Sequence, residues 1–273
     1  DTIKIQNTKG YYLPLEQQWY GESGKADWSK LGKPADQVYA TFNDYHFDLS
    51  KSEILIENVE FYNKEYFDFP LKGIYENRLL TSVSSARYPQ FVSYRKDLKI
   101  KNLGDNIQYL GGFAMEGNEI VGAGNDTTKV QLVFIDPNGK KSVRLVSDRF
   151  LIKPGDEYVS DDAEASIYLG QDSIHHPGLL AKYRVENDEL SLYRGDKGYS
   201  KTAFFDSYHN HEILADVLVW KLNEPKIELK MMTGAGKKPA IFTSAEFFQQ
   251  GELEKFQGVT DFNPISRLKM YAE

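Results

Sequence analysis

The sequence predicts an all-β fold, a β-sandwich or a short β-solenoid-like stack of antiparallel strands, with a minor helical end at the C-terminus. Three observations predict it. Apolar residues recur at every second position over most of the chain, the mark of strands that bury one face. Aromatic residues make up 14% of the 273 residues, with 18 Tyr and 16 Phe; such rings suit strands and half-wet sheet faces. Helix signals are few before Ser244.

Residues 1–36 read as a loop-rich N-terminal segment, because Gly21, Gly24, Gly32 and Pro34 cluster there. A β-rich core is expected over 37–243. In Gln37–Leu49, Val38, Ala40 and Phe42 share a face, and Tyr45, Phe47 and Leu49 resume the alternation after a local irregularity. Glu53–Phe61 repeats the pattern with Ile54, Ile56, Val59 and Phe61. Further strands are expected at 90–101, 107–115, 129–136, 141–152, 164–169, 178–186, 189–194, 212–222, 226–232 and 239–243. The glycines between 102 and 126 read as strand bends. The run Gly111–Gly122 lacks the Lys-Ser/Thr and the following helix of a phosphate loop.

Asp136-Pro-Asn-Gly139 is expected to be a tight hairpin tip. Pro137 presets the turn, Gly139 accepts a positive φ, and alternating strands flank both. Asn187-Asp188 marks a second hairpin. A faint repeat runs strand, strand, Pro-marked corner, strand around Pro70 and again around Pro177; either a duplication into two related β-units, about 37–125 and 126–243, or plain all-β regularity accounts for it. The tail 244–273 carries helix signals: Ser244 as N-cap, Asn263-Pro264 as a second start, then Ile265, Leu268 and Tyr271 at helical spacing. It reads as leading out of the domain into more chain.

Charge and composition narrow the function classes. Lys and Arg number 33 against 40 Asp and Glu, a net charge of -7. That balance argues against nucleic acid as a partner. No run approaches the roughly 18 apolar residues of a membrane helix, so no membrane insertion is expected. Cysteine is absent, which excludes disulfides, thiolate catalysis and Cys-type zinc sites. No cofactor is expected.

Several stretches carry a resemblance: Trp28 with Asp36–Ala40, Val59–Lys64, Gly111–Met115, Ser160–Ala163 leading to Asp172–Gly178, Phe204–His209, Trp220–Ile227 and Gln257–Pro264. Along them the chain resembles segments of very large, uncharacterised secreted or envelope proteins of Bacteroidetes-type bacteria. The resemblance implies an extracytoplasmic, β-rich piece of a longer parent, with other domains of that parent or other envelope proteins as partners. It implies no catalytic residue.

The chemistry that the residues themselves suggest centres on histidine. His209 and His211, two apart on a strand, would share a face, with Glu212 close by and His175 or His176 as a further ligand. Against this stands the reading of polar loop-end residues, and no metal is expected. Asp161-Asp162 and Asp206 are candidate carboxylates of a glycosidase among 40 acidic residues. Trp220, like Trp19 and Trp28, offers a ring to a sugar or, equally, to a core. The candidate ligand-binding set is therefore His175, His176, His209, His211, Glu212 and Trp220. The leading expectation is a non-catalytic structural or interaction segment. The alternatives are a carbohydrate-binding module, which needs an exposed coplanar row of aromatics, and a glycan-directed or metal-dependent hydrolase, which needs a polar pocket with converging carboxylates or histidines.

Overall fold

The computed structural model describes residues 2–79, 87–232 and 240–244. The fold is all-β. Its strands are β1 (Gln6–Leu13), β2 (Gln18–Asp27), β3 (Val38–Asp48), β4 (Glu53–Asn63), β5 (Leu71–Arg78), β6 (Gln90–Ser93), β7 (Ile107–Leu110), β8 (Phe113–Glu116), β9 (Glu119–Ala123) and β10 (Val130–Ile135). They continue as β11 (Lys141–Ser147), β12 (Arg149–Lys153), β13 (Glu157–Leu169), β14 (Asp172–Arg184), β15 (Glu189–Tyr193), β16 (Phe204–Asp206), β17 (His211–Leu214), β18 (Val217–Lys221), β19 (Ile227–Lys230) and β20 (Ile241–Ser244). Single 3₁₀ turns at Ser29–Leu31 and Gly198–Lys201 are the helical elements among the described residues.

Every pairing is antiparallel. One path runs β1–β2–β3–β4–β5–β6–β8–β9–β12–β13. The long hairpin β13–β14 then acts as a fork. In β13, residues 157–159 pair with β12, whereas 164–167 pair with β11. In β14, 180–184 pair with β15, whereas 174–175 pair with β16. One branch continues β11–β10–β7. The others continue β15–β18–β19 and β16–β17–β20.

The fork has a sequence cause. The register of β13 with β14 slips between Ser160 and Ala165, and a bulge bends a strand and lets it change neighbours. Ser147 donates to the Asp162 carbonyl (2.6 Å) and Ser160 donates to Ser147 (2.8 Å), which satisfies backbone that the bulge leaves unpaired. Pro177 sits in β14 opposite this irregularity, a position where its missing N–H costs no ladder bond. The branches face each other: Phe134 of β10 packs its ring 4.7 Å from that of Tyr183 on β14. Such face-to-face contact is the packing of a sandwich.

The core is one continuous cluster. Its N-terminal part is aromatic. Trp28 stands edge-on to Phe61 (5.2 Å) and Tyr75 (5.9 Å), and Phe61 stacks on Phe91 at 4.2 Å. Its C-terminal part joins Phe134, Tyr158 and Tyr183 to Leu190 and Leu192.

The 136–139 tip is a tight turn between β10 and β11, with Gly139 at φ 78° and Asp136 capping Asn138 and Lys140. The second hairpin joins β14 to β15, with Asp188 at φ 49°. Residues 1–36 depart from their expected loop character, because they hold β1 and β2. Gly10, Gly21 and Gly24 mark close packing rather than turns, whereas Gly32, at φ 79°, ends the 3₁₀ turn. A Cβ on Gly10 would sit 2.0 Å from the Tyr20 carbonyl oxygen, and one on Gly21 would meet the Tyr45 ring at 2.3 Å. The sheet crosses residue 125 through the β7–β10 and β9–β12 pairings. Around Pro70 the proline precedes β5, whereas Pro177 lies within β14, so the two corners differ. The expected helical segment beyond Ser244 lies outside the described residues.

Candidate functional site

The candidate histidines divide between the two faces of the β14–β16–β17 arm. Ser166, His175, Phe205, Glu212 and Thr243 lie opposite one another across successive strands and share one face. His175 is half-buried, with Nδ1 3.2 Å from the Ser166 hydroxyl. Ile174, Asp206 and His211 occupy the other face. Strand alternation therefore separates Glu212 from His211 and His175 from His176. The expected ligand set does not converge, and among the described residues no group of three His, Asp or Glu side chains is placed to hold a metal.

His176 is fully buried and both its nitrogens are used. The Gly178 amide donates to Nδ1 (3.1 Å), so Nδ1 accepts, and the hydrogen must sit on Nε2, which donates to the Thr202 carbonyl (3.0 Å). Burial is the chief cause that holds its pKa below the ordinary imidazole value. It is a neutral strut that ties β14 to the 198–202 turn. His209 lies in the turn between β16 and β17, where its Nδ1 is 2.8 Å from Asp206 Oδ2 and its ring is 5.8 Å from that of His211. Asp206 Oδ1 accepts from the Tyr208 amide (3.0 Å), so this carboxylate is spent on shaping the turn. Trp220 donates its indole N–H to the Glu224 carbonyl (2.8 Å) and packs its ring on the core.

Asp161 and Asp162 line a polar cleft of about 530 Å³ at the fork, together with Glu119, Asp148 and Arg149. Its strongest groups already have partners. Arg149 grips Glu116 through two bonds (2.7 and 3.0 Å) and thereby lowers the carboxyl pKa. The Tyr199 hydroxyl donates to Asp162 Oδ2. Charge pairs and bulge contacts fill this cleft, and they hold the fork in shape.

A different surface emerges at the N-terminal end of the sheet. The stretch Tyr11-Tyr12-Leu13 faces Gln18-Trp19-Tyr20 across the loop Pro14–Gln17. On one face the rings of Tyr11, Tyr20 and His46 stack in a ladder across β1, β2 and β3, at 5.3 and 5.5 Å with interplanar angles of 9° and 18°. Farther along the same sheet Tyr39 stacks on Tyr62 at 4.6 Å, with the Lys25 ammonium 4.2 Å above the Tyr39 ring. On the other face Trp19 and Tyr45 join Ile3, Ile5, Phe47 and Ile54 around an apolar cleft of about 440 Å³. In it Trp19 Nε1 donates to the Tyr45 hydroxyl (3.3 Å), which shares a hydrogen with the Thr8 hydroxyl (2.5 Å). The aromatic pairs Tyr11-Tyr12 and Trp19-Tyr20, mirrored about Leu15-Glu16, are the sequence feature that announces this hairpin.

Among the described residues β1 is an edge strand, paired with β2 alone. Its first half is irregular, with Asn7 at φ 55° and register slips between Gln6 and Gly10. From Gly10 to Leu13 it is regular, and Tyr11, Tyr12 and the loop residue Leu15 are exposed, Leu15 at 101%. In comparisons with known proteins, no family model, no curated protein and no solved structure matches the chain.

Proposed function

We propose that this chain is a non-catalytic interaction segment of a larger secreted or envelope bacterial protein, and that it meets its partner by strand addition along β1. The observation that carries the reading is the regular outer edge of Gly10–Leu13, which pairs with no strand but β2 among the described residues and is bordered by exposed Tyr11, Tyr12 and Leu15. An open edge presents N–H and C=O groups that an extended segment satisfies, and the flanking side chains supply selectivity. Strand β19, which ends the β15–β18–β19 branch among the described residues, offers a contrast. There Lys226 and Lys230 pair with Glu228 at 2.8 and 2.7 Å, and clustered charge of this kind discourages added strands. The partner fitting β1 is an extended segment with apolar side chains at alternate positions, from a neighbouring domain of the parent or from another envelope protein.

The ladder geometry favours this reading over glycan binding. Sugar rings stack on aromatic faces lying open side by side, whereas Tyr11, Tyr20 and His46 cover one another's faces. Photo-crosslinking from position 12, in the parent protein and its native envelope, tests the proposal together with amide exchange of the purified adduct. A discrete adduct with slowed exchange at 10–13 is the expected result. Adducts from Lys140 or Lys226 but none from position 12, or an adduct that leaves exchange at 10–13 unchanged, would overturn it.

A further inference from the structure

The cleft on the opposite face from the ring ladder has a hydrogen-bond inventory that does not close. Trp19 Nε1 is a donor only, so the Tyr45 oxygen accepts from it. Tyr45 and Thr8 exchange one bond between their hydroxyls. Three hydrogens, on Trp19, Tyr45 and Thr8, thus enter two bonds. Whichever hydroxyl donates to the other, one hydroxyl hydrogen remains at the cleft wall for an acceptor. Most of the surroundings are apolar, Ile3, Ile5, Phe47, Leu49, Ile54 and Leu79, with Thr2, Asp48 and Lys51 also on the lining. A volume of about 440 Å³ falls within the range of small-molecule sites, which combine an apolar lining with a few convergent polar groups.

We propose that this cleft binds a small apolar molecule bearing one acceptor oxygen, a ketone or ester carbonyl or an ether, held by the free hydroxyl hydrogen of the Thr8–Tyr45 pair. The apolar body fills the space between Ile5, Phe47 and Ile54, and the oxygen takes the place of water at Thr8 and Tyr45. Selectivity is for an acceptor over a hydrocarbon of the same shape.

The test titrates the whole protein with 4-phenyl-2-butanone and, in parallel, with n-butylbenzene, which matches its shape without the oxygen. Binding is read from the Trp19 indole N–H resonance, assigned with Trp19→Phe. The ketone is expected to bind saturably, shift that resonance and bind more tightly than the hydrocarbon. Each single variant, Thr8→Val or Tyr45→Phe, still leaves one hydroxyl hydrogen at the wall and is expected to keep the preference for the ketone; the double variant Thr8→Val/Tyr45→Phe removes both hydroxyls and is expected to weaken the ketone about fivefold, on the order of one hydrogen bond, and to leave the hydrocarbon unchanged. Should the double variant fold poorly, the comparison of ketone with hydrocarbon in the unsubstituted protein still decides the proposal. Absence of saturable binding by either probe, equal affinity for the two, or equal loss of both on substitution would overturn the proposal.

Discussion

The hairpins β1–β2 and β13–β14 are built alike and live differently. Both are antiparallel with aromatic cross-strand partners. The middle hairpin has neighbours along both edges and presents Tyr158, Tyr183 and His176 to the interior. Among the described residues the end hairpin has a neighbour on the β2 side only, and most of β1 is exposed on both faces. The difference shows that ring content alone does not define a core. Rings contribute stability in proportion to what covers them.

The sharpest contrast is expected from truncation. Phe134 bridges the two branches against Tyr183, so Phe134→Ala is expected to cost about 3–5 kcal/mol in urea unfolding. Leu15→Ala, in the exposed loop of the end hairpin, is expected to stay within about 0.5 kcal/mol. Comparable costs for the two would erase the distinction between covered and uncovered elements.

A matched pair of glycines sharpens it. A Cβ on Gly73 would sit 2.1 Å from the Val92 carbonyl oxygen inside the β5–β6 ladder, much as one on Gly10 would sit 2.0 Å from that of Tyr20 at the edge. Gly73→Ala is expected to lower global stability by about 1–3 kcal/mol, because backbone must shift within a packed sheet. Gly10→Ala meets the same collision where β1 is free to move outward. It is expected to speed amide exchange in β1 with little change in global unfolding. Equal global losses would show that β1 is integral to the core.

Acid separates the regions through His176. In the folded protein burial keeps this imidazole neutral, while in the unfolded chain it takes a proton near pH 6.5. The unfolded state therefore binds the extra proton. The contribution is fully present above that pH and falls as pH drops through about 6.5 toward the lower folded value, by at most about 1.4 kcal/mol per pH unit. His176→Gln is expected to flatten this limb in urea titrations at pH 7.5 and 5.5. An unchanged slope would mean that His176 does not stay neutral in the fold.

Much of the fold is written in local pattern and much of the site is not. Val130–Val146 alternates cleanly around Pro137 and Gly139, so its pairing was readable from the residues themselves. The fork was not, because a bulge at 160–165 depends on which strands compete for β13. His209 and His211 looked paired by spacing, yet a turn holds the first and a strand the second, and Glu212 falls on the opposite face. The polar wall of Thr8, Trp19 and Tyr45 gathers residues from three strands, and no spacing along the chain announces such a meeting.

The smallest expected effect bears most directly on whether the end hairpin is a recognition surface or a structural one. Tyr11 and Tyr20 stack at 5.3 Å on the wet face, and cross-strand aromatic pairs are worth about 0.2–1 kcal/mol. A double-mutant cycle with Tyr11→Ala and Tyr20→Ala is expected to give a coupling near 0.5 kcal/mol, because solvent covers much of the pair. Tyr11 caps the ladder at the edge, so its outward ring face stays open even when the inward face is stacked. A coupling above about 1.5 kcal/mol would exceed what stacking at an exposed site supplies. It would mean that the ladder locks β1 to the sheet, leaving the edge too rigid to accept an added strand by adjusting its own. A coupling near zero would mean that the rings are independent, free to part and present open faces, and the glycan alternative would regain its platform.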